Sequence, residues 1–227
     1  MIMRKMRELP GFPAAILCRA ALLLALCAAA PAKAGAYEDF LFAVKFNDAN
    51  TVQNFLRKGM DVNSTEGVRG ESILMIALRE KSMRVVDLLL KDADIKLDAA
   101  AANGDTAIMI AAYTGNLEAL KKLIAAGAAV NRPGWTALHY AAANGRPEII
   151  SLLLEHAAYI DAESPNKTTP LMMAVSAGKI DAVKLLLDEG ADIGLKNELG
   201  LTALDFARQF QHADIAEELA SRMHLPK

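Results

Sequence analysis

The residues of this 227-residue chain that could do chemistry are few and scattered. The four histidines are His139, His156, His212 and His224. No two of them stand at the spacing of a zinc-ligand pair, and there is no His-Glu-x-x-His string. No Gly-x-Ser-x-Gly, Gly-x-Gly-x-x-Gly or Walker loop is present. The acidic residues are spread over helical stretches, which is the pattern of solvated faces and not of a paired acid and base. Met75, Met109, Met172 and Met173 recur early in successive helical stretches. A methionine-lined metal or haem site is the sharper reading. Packing is the better one, because the flexible thioether fills irregular gaps. Cys18 and Cys27 both precede the body of the protein. The expectation is therefore no catalytic residue, no metal and no cofactor.

The first 36 residues have a composition of their own. Arg4, Lys5, Arg7 and Arg19 make a basic start, residues 20–30 read AALLLALCAAA, and small residues follow. This is the order of a secretory signal peptide, with cleavage expected after Ala34 or Ala36. The apolar run is shorter than the ~20 residues that span a bilayer. The alternative is a retained amphipathic anchor. Leu26 is too bulky for the small residue that precedes a lipidated cysteine, so Cys27 is not expected to carry lipid. Cleavage leaves a chain without cysteine, suited to an oxidising compartment. The leader takes five basic and one acidic residue from totals of 25 and 27, leaving 20 and 26, a formal charge of −6. That balance argues against a nucleic-acid partner, which would want a basic stripe.

In a chain that is 53% apolar in composition but only 5% aromatic, the body must build its core from alanine and leucine, as thin, closely packed helices do. It is periodic. Ala43, Ala77, Ala111, Ala141, Ala174 and Ala207 are separated by 34, 34, 30, 33 and 33 residues, the mark of a stacked array. Ser72, Thr106, Thr136, Thr169 and Thr202 stand five residues ahead of five of these alanines, where a hydroxyl opens a helix. Gly115, Gly145 and Gly178 follow and can close it in a left-handed conformation. The same position is Asn47 in the first unit, Lys81 in the second and Gln211 in the sixth, which leaves the second and sixth helix ends unspecified. Second helices carry VVDLLL, IISLLL and AVKLLL. Asn131 to Thr136 spans five residues where the corresponding loops span eight, so the loop NRPGW is three residues short. Asn63-Ser64-Thr65 and Asn166-Lys167-Thr168 match the short glycosylation sequon.

The strings SILMIA, TAIMIA, TALHYA, TPLMMA and TALDFA, each followed by a leucine-rich helix and a turn such as DEGADIG, resemble the ankyrin repeat, and the leader makes the chain resemble small exported bacterial ankyrin-repeat proteins. The resemblance covers about residues 38–220. It implies an all-α solenoid of stacked helix-turn-helix units with protruding hairpin-like loops. The units expected are an N-terminal cap at 37–63, then 64–98, 99–131, 132–161 and 162–194, and a C-terminal cap at 195–227. It also implies that His139 holds neighbouring loops together and does not act on a substrate, and that His212 is structural.

In such arrays partners contact the loops and the exposed side of the first helices. The candidate contact residues are then Glu71, Asp105, Trp135 and Thr168 before the helices, and Arg79, Tyr113, Asn144 and Phe210 at their ends. Aromatic and arginine side chains dominate binding hot spots; packing under a neighbouring loop is the competing reading for Trp135. The function expected is a non-catalytic protein-binding module, exported to a Gram-negative periplasm as a scaffold or protector of another protein. It is expected to be monomeric, with no stable membrane insertion after cleavage. The alternatives are a secreted effector or immunity-type inhibitor and, from a different class, an enzyme on an ankyrin frame.

Overall fold

The computed structural model describes residues 35–223. The proposed signal peptide lies outside the described residues except at its last two positions, and so does His224. The chain divides into two units, at 1–42 and 43–227. In the first, the described residues are helical, part of a helical stretch over 35–45 (α1), and the rings of Tyr37 and Phe40 lie 6.5 Å apart.

The second unit is built from helix pairs. The helices are α2 (Ala49–Arg57), α3 (Ile73–Arg79), α4 (Met83–Leu89), α5 (Ala107–Thr114), α6 (Leu117–Ala125) and α7 (Ala137–Ala143). They continue as α8 (Pro147–Glu155), α9 (Pro170–Ser176), α10 (Ile180–Asp188), α11 (Ala203–Gln209) and α12 (Ala213–Met223). Most have seven to nine residues, too short to persist alone in water, so packing must supply their stability. The first helices stack on one another in the order α3, α5, α7, α9, α11; α2 packs on α4, α6 on α8, α8 on α10, and α10 on α12. This is an all-α repeat solenoid, in which each pair buries its apolar face on the next.

The repeating alanines explain how closely the helices approach. Ala77, Ala111, Ala141, Ala174 and Ala207 are fully buried and Ala43 is 4% exposed. Their carbonyls have a second use. The amides of Asp48, Ser82, Asn116, Arg146, Lys179 and His212 each donate to the alanine carbonyl five residues earlier, at 2.8–3.0 Å. That bond closes the first helix through a left-handed residue. Gly115, Gly145 and Gly178 take this conformation, and so do Asn47, Lys81 and Gln211, at φ of 57–60°. The helix ends that the sequence leaves unspecified are therefore closed in the same way, and the stack holds three side-chain-bearing residues where glycine would be unstrained.

Loops tie neighbouring units together. Asn63 accepts from the Lys96 amide, Asp98 from Ala129, Asn131 from Tyr159 and Asp161 from Asp192, all at 2.8–3.0 Å. The next residue in this register is Gly194, which has no side chain to offer, so the ladder stops at the last full unit. The loops fold back through Glu66 N–H to Glu71 C=O, Ala101 to Asp105, Ser164 to Thr168 and Asn197 to Leu201. One isolated β-bridge, Thr65 to Ser72, stands among the described residues, so the hairpin-like loops are turns and not strands.

Candidate interaction face

His139 is the third residue of α7 and is completely buried. Its Nδ1 accepts from the Thr136 amide at 3.2 Å and lies 2.9 Å from the Thr136 hydroxyl. With Nδ1 accepting, Nε2 carries the hydrogen and donates to the Thr168 carbonyl at 2.9 Å. Burial holds its pKa below the ordinary value of 6.5, so the ring is neutral. The ring packs on Trp135 in a T-shaped pair, with centroids 5.2 Å apart and planes at 75°. Such a histidine positions two loops.

The other helix-opening hydroxyls differ in what they do. Ser72, Thr169 and Thr202 accept from the amides of Met75, Met172 and Asp205, at 3.3 Å each. Thr106 departs from the expectation of a capping hydroxyl. Its amide donates to the Met109 sulfur at 3.3 Å, while its buried Oγ1 has no hydrogen-bond partner.

Gly115, Gly145 and Gly178 are covered from the next unit. A methyl group on them would meet Arg146, Lys179 and His212 at 2.8–2.9 Å. His212 also stacks on Phe210, with centroids 6.4 Å apart, and its Nε2 lies 3.4 Å from the Ser176 carbonyl.

The candidate contact residues fall into three groups. Tyr113 is 49% exposed and Phe210 46%, while Trp135, Arg79 and Asn144 are half-buried. Glu71, Asp105 and Thr168 are only 6–9% exposed, which corrects the expectation that they stand open to a partner. The side chains of Glu71 and Asp105 meet polar partners, and Thr168 is held through its backbone. Arg79 grips Glu71 through two nitrogens, at 2.5 and 3.3 Å. Asp105 accepts from the Tyr140 hydroxyl at 2.5 Å and from Asn103 at 2.7 Å. The Thr168 amide donates to Ser164 at 2.9 Å, and its carbonyl holds His139. Asn144 spends its amide on the Tyr140 carbonyl at 2.9 Å. Phe210 stacks on Phe206, centroids 6.1 Å apart, in the sixth unit and away from the other aromatics of the set.

Two hollows open between the first helices and their loops. One, of about 270 Å³, is lined by Glu71, Arg79, Asp105, Tyr113 and Tyr140 among others. The second, of about 220 Å³ and almost wholly apolar, is lined by Trp135, His139, Tyr140 and Met173. Tyr140 belongs to both; sequence reasoning missed it and read Met173 as packing. They share one register with Ile110 and Phe206, one residue beyond the His139 slot, so the repeat itself held the signal. Tyr113 and Tyr140 meet edge-to-face at 87°, with centroids 6.1 Å apart. Burial first, and then the Asp105 carboxylate, push the Tyr140 phenol above its ordinary pKa, so it remains a hydrogen-bond donor. Arg132, from the short loop, donates back to the Gly104 carbonyl and lies 3.7 Å from the Met109 sulfur.

Stacked helix pairs with a side-chain-rich face of first helices and loops define a repeat solenoid of the kind that presents an extended binding surface. The chain belongs to the ankyrin-repeat family. Ankyrin repeats described as three-copy units match residues 40–133 and 84–164, and ankyrin repeats described as many copies match 153–207. It is 32% identical to the transient receptor potential cation channel subfamily A member 1 of Homo sapiens over 66% of its own length. A probable E3 ubiquitin-protein ligase of Oryza sativa subsp. japonica is 36% identical over 48%, and the nuclear factor NF-kappa-B p105 subunit of Mus musculus 36% identical over 60%. The chain spans 14%, 26% and 15% of these three proteins, so the likeness is one of repeats. Among the described residues no helix is long and apolar enough to cross a membrane.

Proposed function

We propose that this chain is an exported, non-catalytic protein-binding module that acts in a Gram-negative periplasm as a scaffold or protector of one partner protein. Family membership supports protein binding. The leader, with its basic start, apolar run and small-residue sites, supports export. The observation that carries the binding reading is the Tyr113–Tyr140–Trp135 row. It offers part-exposed aromatic surface held by hydrogen bonds and ring contacts. Rigid aromatics give large contact area at small entropic cost.

Two measurements test this reading. N-terminal sequencing of periplasmic protein should begin at Gly35 or Tyr37; a full-length chain recovered only from membranes would support a retained anchor. A partner cross-linked in the periplasm to the native protein and identified by mass spectrometry should lose at least ~2 kcal/mol of affinity for Trp135→Ala. Affinity unchanged for both Trp135→Ala and Tyr113→Ala would move the binding site elsewhere.

A further inference from the structure

The two hollows that share Tyr140 carry information about what the partner offers. Their size selects the class of occupant. Small-molecule sites run to about 300–1,000 Å³, whereas these hold about 270 and 220 Å³. Each suits one side chain. Because one residue lines both, the two side chains must be neighbours, and residues i and i+2 of an extended segment point the same way about 7 Å apart.

Charge selects the chemistry of the first. Arg79 holds Glu71 at 2.5 Å and Arg69 approaches it at 3.9 Å, so that carboxylate is already matched. Asp105 is different. Both of its hydrogen-bond donors, Tyr140 and Asn103, are neutral, and among the described residues it makes no ion pair. The crossed rings of Tyr113 and Tyr140 stand beside it, and π-faces attract cations. Three cations oppose this, of which Arg79 is spent on Glu71. Arg69 has a side chain 66% exposed and screened by solvent. Arg132 is turned to the Gly104 carbonyl. The second hollow, with Trp135, His139, Tyr140 and Met173, offers almost no polar atom, and methionine adapts to irregular apolar shapes. The chain without its leader carries a formal charge of −6, which favours approach of a basic segment.

We propose that this face takes an extended segment of the partner that presents lysine or arginine to Tyr113, Tyr140 and Asp105, and, two residues away, a bulky apolar side chain to Trp135, His139 and Met173. The proposal rests on the reading of this face as the partner site.

The test is a titration of the protein, purified as the cell processes it, with blocked heptapeptides, followed by the emission of Trp135, the single tryptophan. The peptides carry Lys-x-Leu or Leu-x-Lys, and the controls replace lysine by glutamate or leucine by serine. One of the two Lys/Leu orders should bind at least tenfold more tightly than either control. Tyr113→Leu, at an exposed position, should weaken it about two- to fivefold, the range of an exposed cation–π contact, and leave the glutamate peptide unaffected. Equal or tighter binding of the glutamate peptide overturns the charge assignment, and equal binding of the serine peptide overturns the apolar slot. Saturable binding by none of them overturns the segment altogether. If cross-linking still captures a partner that is sensitive to Trp135→Ala, the face remains the binding site and the partner docks as a folded surface.

Discussion

His139 Nε2 and the Thr168 carbonyl oxygen lie 2.9 Å apart, across the joint between the fourth and fifth units. The same ring takes the Thr136 amide on its other nitrogen, so one neutral imidazole satisfies a helix start and a loop at once. His139→Gln keeps a hydrogen-bonding side chain and should stay folded. His139→Leu strands buried polar groups and should cost about 1–3 kcal/mol in a denaturant titration.

The same ring sets a pH dependence. Its folded pKa lies below the ordinary 6.5. Between the two values the unfolded chain binds more protons than the folded one, so stability rises with pH there. The contribution is complete above about 6.5 and is lost progressively as pH falls through and below that value. Stability curves at pH 7.5 and 5.5 should therefore converge more closely for His139→Gln than for the native chain. An identical pH slope in the two proteins would remove His139 from the account.

Ala157 is an exposed residue at φ 59°, in the turn after α8, where Gly59, Gly127 and Gly190 occupy the corresponding positions of other units. A side chain in left-handed backbone costs roughly 1–2 kcal/mol. Ala157→Gly should recover about 1 kcal/mol, because this alanine buries nothing that glycine would give up. A lower denaturation midpoint for the variant would contradict this.

Ala141 is fully buried between α7 and its neighbours. Ala141→Leu should overpack the stack and cost about 1–3 kcal/mol. A chemical denaturation curve superimposable on that of the native chain would show that the stack has room there.

Tyr140→Phe removes the hydroxyl that donates to Asp105 at 2.5 Å. A hydrogen bond to a charged group contributes about 1.5–3 kcal/mol, and the carboxylate keeps Asn103 as a donor. The expected loss is about 1–2 kcal/mol of stability, read from thermal and denaturant unfolding together. No loss would mean that solvent replaces the hydroxyl freely.

Much of this fold is legible in one dimension. The alanine period, the hydroxyl five residues ahead of it and the leucine-rich second helix are local patterns, and each recurs because every unit meets the same neighbour geometry. Lys81 and Gln211 show where local pattern stops short. Nothing in either residue type calls for φ near +60°, yet the amide bond back to the alanine carbonyl imposes it. The face depended still more on tertiary structure. Glu71, Asp105 and Thr168 read as exposed because they precede the helices, but Arg79, Tyr140 and His139 donate to them, to two carboxylates and a backbone carbonyl, from eight to thirty-five residues away. Sequence spacing within a unit states which residues share a helix. Which side chain finds a partner in the next unit depends on loop length and the stacking of first helices, and those distances exist only once the units are packed.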